Sequence, residues 1–393
     1  MNAAVKPAAV FSVAAGLALG AAVSLGLARF SYALLLPPMR ADLGWSYFTA
    51  GAMNTANATG YFLGALMTPR LLRNFGARRL LWVGSAATAA LLAAHGGVLN
   101  ETSLLALRLF TGISSALVFV AGGLMAARLG TGQANAGLVL GIYYGGTGVG
   151  IIASTLLVPP LAARTVAHAW QGAWWGLAAA ALLATLLTAW ATRQQTEPPP
   201  TAASHAQHFQ WSAFAFGLTS YFMFGLGYIG YMTFTVTLLR EQGLGTALVN
   251  AYFCVLGAGV MASPWLWARL LQQHRGGVPL MVLNALLAVA TLLPVLSTHS
   301  AVAFASGALF GCVFLSVVAS TTALVRHNLP TSAWSGGISA FTVMFAAGQM
   351  VGPIAVGWLA DGSGGLRSGL ACSAAALALG SLLAWWQKPL TRV

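Results

Sequence analysis

Apolar positions along this chain fall in continuous runs close to the length needed to cross a bilayer as a helix. Strands of a membrane barrel would alternate apolar and polar residues, so the pattern predicts spanning α-helices. Twelve runs can be read. Six lie near 10–36, 46–69, 79–98, 103–127, 136–158 and 171–192, and six near 211–239, 248–272, 278–297, 301–325, 336–360 and 368–387. Between the sixth and seventh stands "TRQQTEPPPTAASHAQHFQ", whose three prolines and polar, non-periodic composition read as a linker. The expected organisation is an all-α integral membrane protein. An N-terminal six-helix bundle occupies 1–193, a cytoplasmic linker 194–210, and a C-terminal six-helix bundle 211–393. Lys6 before the first run resembles a signal peptide, but the run outlasts an h-region and offers no small-residue cleavage site.

Composition agrees with the pattern: 58% of residues are hydrophobic, 6% charged, and the mean hydropathy is +0.80. The net charge of +13 could suggest a nucleic-acid partner, but the basic residues sit mostly in short loops, where topology explains them. With the N-terminus cytoplasmic, Lys6, Arg70, Arg73, Arg78, Arg79, Arg128, Arg193, Arg269, Arg275, Arg326, Lys388 and Arg392 lie inside. Only Arg40, Arg164, Arg240 and Arg367 lie outside. That asymmetry puts both termini and the linker in the cytoplasm of a bacterial inner membrane. Cys254, Cys312 and Cys372 each fall within a run, which disfavours a disulfide framework or a metal site. No cofactor or metal is expected.

The halves also repeat. At an offset of 201, Gly26 matches Gly227, Leu43-Gly44 matches Leu244-Gly245, and Gly76 matches Gly277. At 202, "GTGVGIIA" (146–153) aligns with "GQMVGPIA" (348–355). Two parallel repeats joined by a linker are the plan of a rocking-bundle transporter.

Local motifs point the same way. In "RLLRNFGARRL", Gly76, Arg78 and Arg79 match the loop motif of the major facilitator superfamily, while Arg73 and Asn74 stand where that motif has Asp and Arg. "RLFTG" (Arg108 to Gly112) fits the helix-four pattern, "GIYYGGTGVG" resembles the helix-five glycine ladder, and "GQMVGP…GWLAD" (Gly348 to Asp361) is similar to its second-half counterpart. The chain thus resembles that superfamily throughout. Through "GLARFSYALLLPPMRADLGWS" and "NATGYFLGA" it resembles the YbfB/YjiJ-type branch. The resemblance implies alternating access, usually by a monomer, with helices 1, 4, 7 and 10 lining a central cavity. Conformational roles would then fall to Gly76, Arg78, Arg79, Gly145, Gly146, Gly148, Gly150, Gly348, Gly352, Pro353 and Asp361.

Two residues are out of place. Arg29 and Arg108 sit inside apolar runs, where an arginine costs at least about 2.5–3.5 kcal/mol at mid-helix. With helix 1 ending near Pro37, Arg29 lies roughly 12 Å deep, and Arg108 roughly 8 Å. The five carboxylates, Asp42, Glu101, Glu197, Glu241 and Asp361, all fall at loops or helix ends. A bound carboxylate, sulfonate or phosphate would satisfy such a cation with a bidentate contact. Backbone carbonyls and Asn or Tyr side chains are the alternative. Neutral candidates for the same site are Asn54, Asn57 and Tyr61 on one helix face, Tyr221, Tyr228 and Tyr231 on helix 7, and Phe345 and Gln349 on helix 11. Packing and lipid contact compete for each of them.

The leading expectation is therefore a secondary transporter moving a small organic anion, with a coupling proton or a counter-anion. The alternative is a proton-driven exporter of hydrophobic or cationic drugs, although such exporters often carry an intramembrane carboxylate and none is seen here. A sensor would want a larger soluble region than the linker provides. "GGTGVG" follows no strand and precedes no Lys-Ser/Thr, so it is not a nucleotide loop. No nucleophile–base pair suggests an enzyme.

Overall fold

The computed structural model describes residues 7–130, 136–162, 166–195, 210–330 and 333–390, and these contain helices and no strand. The first run forms α1 (Pro7–Ala21), a π-helical segment (Ala22–Phe30) and α2 (Tyr32–Leu43). Then come α3 (Tyr47–Phe75), α4 (Ala77–His95), α5 (Glu101–Gly130), α6 (Ala136–Ala162) and α7 (Trp170–Thr192). After a short 3-10 turn at Trp211–Phe214 follow α8 (Ala215–Glu241), α9 (Thr246–Leu266), α10 (Ala268–Gln273), α11 (Val278–Leu296), α12 (Ser300–Asn328), α13 (Trp334–Ala360) and α14 (Gly365–Trp385).

Ten stretches among the described residues are long and apolar enough to cross a membrane, the first being Val10–Leu43. Helices α3 and α4 are long enough but less apolar: Asn, Thr and Gly dilute α3, and Arg78 and Arg79 weight one end of α4. The first run does not stop near Pro37. It continues through Pro37 and Pro38 to Leu43. Arg29 therefore lies fourteen residues from the helix end, roughly 21 Å at α-helical rise, deeper than the sequence suggests.

The chain divides into two compact units. One comprises Met1–Leu43 with Ala56–Pro200, the other Gly44–Thr55 with Thr201–Val393. Residues 44–55, which open α3, thus group with the later part of the chain. In the first unit α4 packs between α5 and α7, while α1 and the π segment pack on α6. In the second, α8 packs on α13 and α14, α9 on α12, and α11 on α12 and α14.

Glycine sets the tightest crossings in both units. A Cβ on Gly146 would strike the Ala18 carbonyl, and one on Gly150 would lie 2.5 Å from the Ala22 carbonyl oxygen and 2.8 Å from Gly26 Cα. In the second unit Gly348 and Gly352 meet the Phe222 and Leu226 carbonyls of α8 in the same manner. The aligned segments "GTGVGIIA" and "GQMVGPIA" thus each serve the crossing of a unit's sixth-to-first or thirteenth-to-eighth helix, where small residues let backbones approach. Overpacking such a contact costs typically about 1–3 kcal/mol. Gly150→Leu is therefore expected to lower the melting temperature and the monodisperse fraction of purified protein. Gly172→Ala, where a Cβ meets nothing within 4 Å, is expected to leave both unchanged.

Candidate functional site

In the first unit the site begins with the π segment. All nine of its residues are buried, Arg29 among them. Its wider winding shows where Ser31 N–H donates to the Gly26 carbonyl, five residues back, at 3.1 Å. Such segments displace carbonyls from the usual i→i−4 ladder. Here the Ala28 carbonyl accepts a hydrogen bond from Arg108 Nη1 at 3.0 Å. Two serines tie the segment to α5 reciprocally: Ser24 Oγ donates to the Ser115 carbonyl at 2.8 Å, and Ser115 Oγ to the Ser24 carbonyl at 3.0 Å.

Both guanidinium groups lie over aromatic rings. Arg108 sits 4.6 Å from the Tyr32 ring centre and Arg29 5.3 Å from that of Tyr61, a favourable placement for a cation. The two arginines meet at the π segment, since Arg29 directly follows Ala28. Arg108 is 1% exposed and Arg29 3%. Asn57, also buried, donates from Nδ2 to the Arg108 carbonyl at 3.2 Å. That contact is possible because Gly60 and Gly112 bring α3 and α5 backbone to backbone: a Cβ on either would strike the other helix. The glycine of "RLFTG" thus has a defined task.

Asn54 and Asn57, three residues apart, take different partners. Asn54 belongs to the second unit, where its Nδ2 donates to Thr233 Oγ1 at 2.5 Å. The aromatic candidates of that unit form a stack in which Tyr221, Phe224 and Tyr228 each lie 4.9–5.6 Å from the Phe345 ring. Gln349 Nε2 donates to Tyr228 Oη at 2.8 Å. Tyr231 stands apart from this stack. It lies 4.0 Å from the Phe310 ring, and its hydroxyl joins Tyr252 Oη and Ser306 Oγ in a buried hydrogen-bond chain. Its hydroxyl is therefore committed within the unit.

The conformational candidates fall at helix ends and crossings. Gly76 has φ 78°, a left-handed turn that glycine adopts without strain, and it starts α4. Arg78 Nη1 donates to the Arg193 and Gln195 carbonyls at 3.0 and 2.8 Å, holding the C-terminal end of α7 as a cation should. Arg79 and Arg73 are exposed. Gly145 and Gly148 are buried in α6 beside the crossing glycines. The Pro353 carbonyl is met closely by Gly51. Asp361, at the end of α13, accepts from Tyr47 N–H at 2.8 Å and from Phe48 N–H at 2.9 Å. It thereby satisfies two of the orphan donors that open α3, while Ser46 Oγ accepts from Thr49 N–H at 3.1 Å. Glu241 accepts from Tyr47 Oη beside them.

Four residues of the first unit are not singled out by sequence reasoning: Ser24, Tyr32, Ser115 and His95. His95 ends α4 fully buried, stacked on Trp174 with ring centres 4.3 Å apart, and its Nδ1 bonds the Leu91 carbonyl at 2.7 Å. Only its place after a long apolar run could have signalled this. Among the described residues, no cluster of three His, Cys, Asp or Glu side chains is assembled to hold a metal.

The long apolar helices are those of a multi-pass membrane protein, and comparison with known proteins gives its class. The family model described as "Uncharacterised MFS-type transporter YbfB" matches residues 21–385, so the chain belongs to the YbfB-type branch of the major facilitator superfamily. A chloramphenicol resistance protein of Streptomyces lividans is 26% identical over 381 residues, covering 91% of this chain and 93% of that protein. A mutant of the nucleoside transporter NupG superposes with a TM-score of 0.70 at 12% identity, covering 95% of this chain and 98% of the other. A bacterial homologue of the human lysosomal transporter Spinster gives 0.70 at 15%, with 97% and 96% covered. The human organic anion transporter MFSD10 gives 0.68 at 16%, with 97% and 100% covered. At such identities the solved structures establish a shared fold. The protein is a secondary transporter of a small-molecule solute and not an enzyme.

Capping contacts of the kind Asp361 makes are worth about 0.5–2 kcal/mol. Asp361→Ala is expected to lower the melting temperature by a few degrees and to raise cysteine-probe labelling at a Cys introduced at Phe48. Unaltered labelling would separate Asp361 from any part in holding the start of α3.

Proposed function

We propose that the transported solute is a small organic anion whose charged group is read by Arg29 and Arg108. The supporting observation is that two buried arginines meet at one short segment: Arg29 follows Ala28, whose carbonyl accepts from Arg108 Nη1 at 3.0 Å. Two like charges held together out of water are costly alone and favourable around an anion. The carboxylates that the structure describes have other roles. Asp42 accepts from His168 and Trp170, Glu241 and Asp361 meet the start of α3, and Glu101 is exposed in the first turn of α5. Arg108 also braces the π segment through the Ala28 carbonyl. Asn57 and Tyr61 complete the first-unit site.

In this reading α1 to α2 count as one span and α9 to α10 as another. That makes twelve spans in two pseudo-symmetric six-helix bundles, 1–193 and 211–393, with linker 194–210 and both termini in the cytoplasm. The protein acts as a monomer in the inner membrane, surrounded by lipid, with a coupling proton or a counter-anion. Gly76, Arg78, Arg79, the α6 and α13 glycines, Pro353 and Asp361 serve the conformational cycle.

A second reading is export of a hydrophobic or cationic drug-like compound. The relative described as a chloramphenicol resistance protein favours it, as does the aromatic stack of Tyr221, Phe224, Tyr228 and Phe345 in the second unit. Gln349 would then position that stack through Tyr228.

A ligand that binds only the folded state stabilises it by about 2.7 kcal/mol at a hundred times its Kd. Thermal shifts of the purified protein with benzoate, benzyltrimethylammonium and chloramphenicol separate the two readings. Benzoate is expected to stabilise the wild type and to lose at least tenfold in affinity in Arg29→Ala, with partial retention in Arg29→Lys. Stabilisation by the cation or by chloramphenicol alone, unchanged in Arg29→Ala, would overturn the anion reading in favour of the exporter.

A further inference from the structure

The first-unit site combines two side chains that can only donate with an amide that also accepts. Arg29 and Arg108 can only donate hydrogen bonds. Asn57 packs against the Arg108 backbone, on the same face of α3 as Tyr61. Its Nδ2 donates to the Arg108 carbonyl at 3.2 Å, and one turn further along α3, about 6 Å on, the ring of Tyr61 lies under Arg29. The Nδ2 contact fixes the orientation of the amide, because a backbone carbonyl can only accept. Asn57 Oδ1 is consequently an acceptor. It is buried, in a residue that is 0% exposed, and makes no hydrogen bond in the structure. A buried acceptor left unsatisfied is costly.

Resting on the anion reading above, we propose that Asn57 selects the solute. The transported anion carries a neutral hydrogen-bond donor, a hydroxyl or an amide N–H, next to its acidic group. The acid accepts from arginine and the donor is received by Asn57 Oδ1. A second acceptor on the solute, such as an ether oxygen, would face the Oδ1 lone pairs and be rejected. An ammonium group would supply a donor but bring a third positive charge beside Arg29 and Arg108. The solute class is therefore a hydroxy acid or an N-acyl amino acid in preference to a plain carboxylic acid or an amino acid.

Sites that hydrogen-bond a substrate hydroxyl discriminate strongly against analogues lacking it, because the buried protein group is then left unmatched. Mandelate, phenylacetate and α-methoxyphenylacetate share a scaffold and differ only at the α position. Their affinities for the full-length protein in detergent would be measured by thermal shift, with lactate against propionate as a second matched pair. Mandelate is expected to bind about tenfold or more tightly than either partner, and lactate more tightly than propionate. The ratio of mandelate to phenylacetate affinity is expected to fall to near one in Asn57→Leu and to recover in part in Asn57→Ser. Because the ratio is internal to each variant, a general loss of stability does not mimic the result. Equal binding of the three aromatic acids to the wild type would overturn the selection by Asn57 while leaving an anion site. An undiminished ratio in Asn57→Leu would do the same. Stabilisation by none of these acids would overturn both the selection and the anion reading.

Discussion

The structure of the first unit is governed by the need to keep two permanent positive charges inside a helical core. Neither guanidinium can shed its proton, so the chain must supply electron density where helices normally offer none. It does so by changing the winding of its own backbone. Across Ala22–Phe30 the helix opens to a π form, and a carbonyl that regular winding would point along the axis turns to Arg108 instead. Aromatic faces at Tyr32 and Tyr61 contribute as well, without adding a formal charge. Replacing these cations by apolar residues of similar volume would relieve a cost that the fold otherwise meets in several places at once.

Around that constraint the two units solve the same packing problem with different chemistry. Each presses its first long helix against a glycine-bearing partner, α1 and the π segment against α6, and α8 against α13. What lies beside the crossing diverges. The first unit gathers arginine, amide and paired serines, whereas the second gathers stacked rings with the Gln349 amide on a phenol. Helix ends diverge too. Arg78 donates to the carbonyls at the end of α7, while in the second unit the neutral Gln387 holds the start of α8, accepting from Gly217 N–H and donating to the Ala213 carbonyl.

Much of this could be read from residue order, and the exceptions have physical causes. Long apolar runs announce spans because a backbone in hydrocarbon has few options. The weaker definition of α3 and α4 follows from the polar and basic residues that they must carry. Arg29 and Arg108 were visible as charges among apolar neighbours. Ser24, Tyr32 and Ser115 were not, since their contacts depend on a π winding that leaves no mark in a hydrophobic repeat. Tyr231 shows the opposite failure. Its spacing placed it with Tyr228, but one more turn of helix directs it to Tyr252 and Ser306. Asn54 and Asn57 were expected to act together. A 60° difference in direction around α3 and one turn of rise give them separate partners.

The π segment carries one further consequence. Gly26 and Arg29 share the same widened turn, so a close backbone crossing and the buried charge are mechanically one object. Rewinding that turn to α geometry would rotate everything N-terminal to it by a sizeable fraction of a revolution, since each residue accounts for 100°. The Ala28 carbonyl would swing away from Arg108 and Gly26 would slide off Gly150 in the same stroke. A single added or deleted residue between Ala22 and Phe30 would therefore be felt at once as a change in charge solvation and in helix register, and the length of this short stretch is held from both directions.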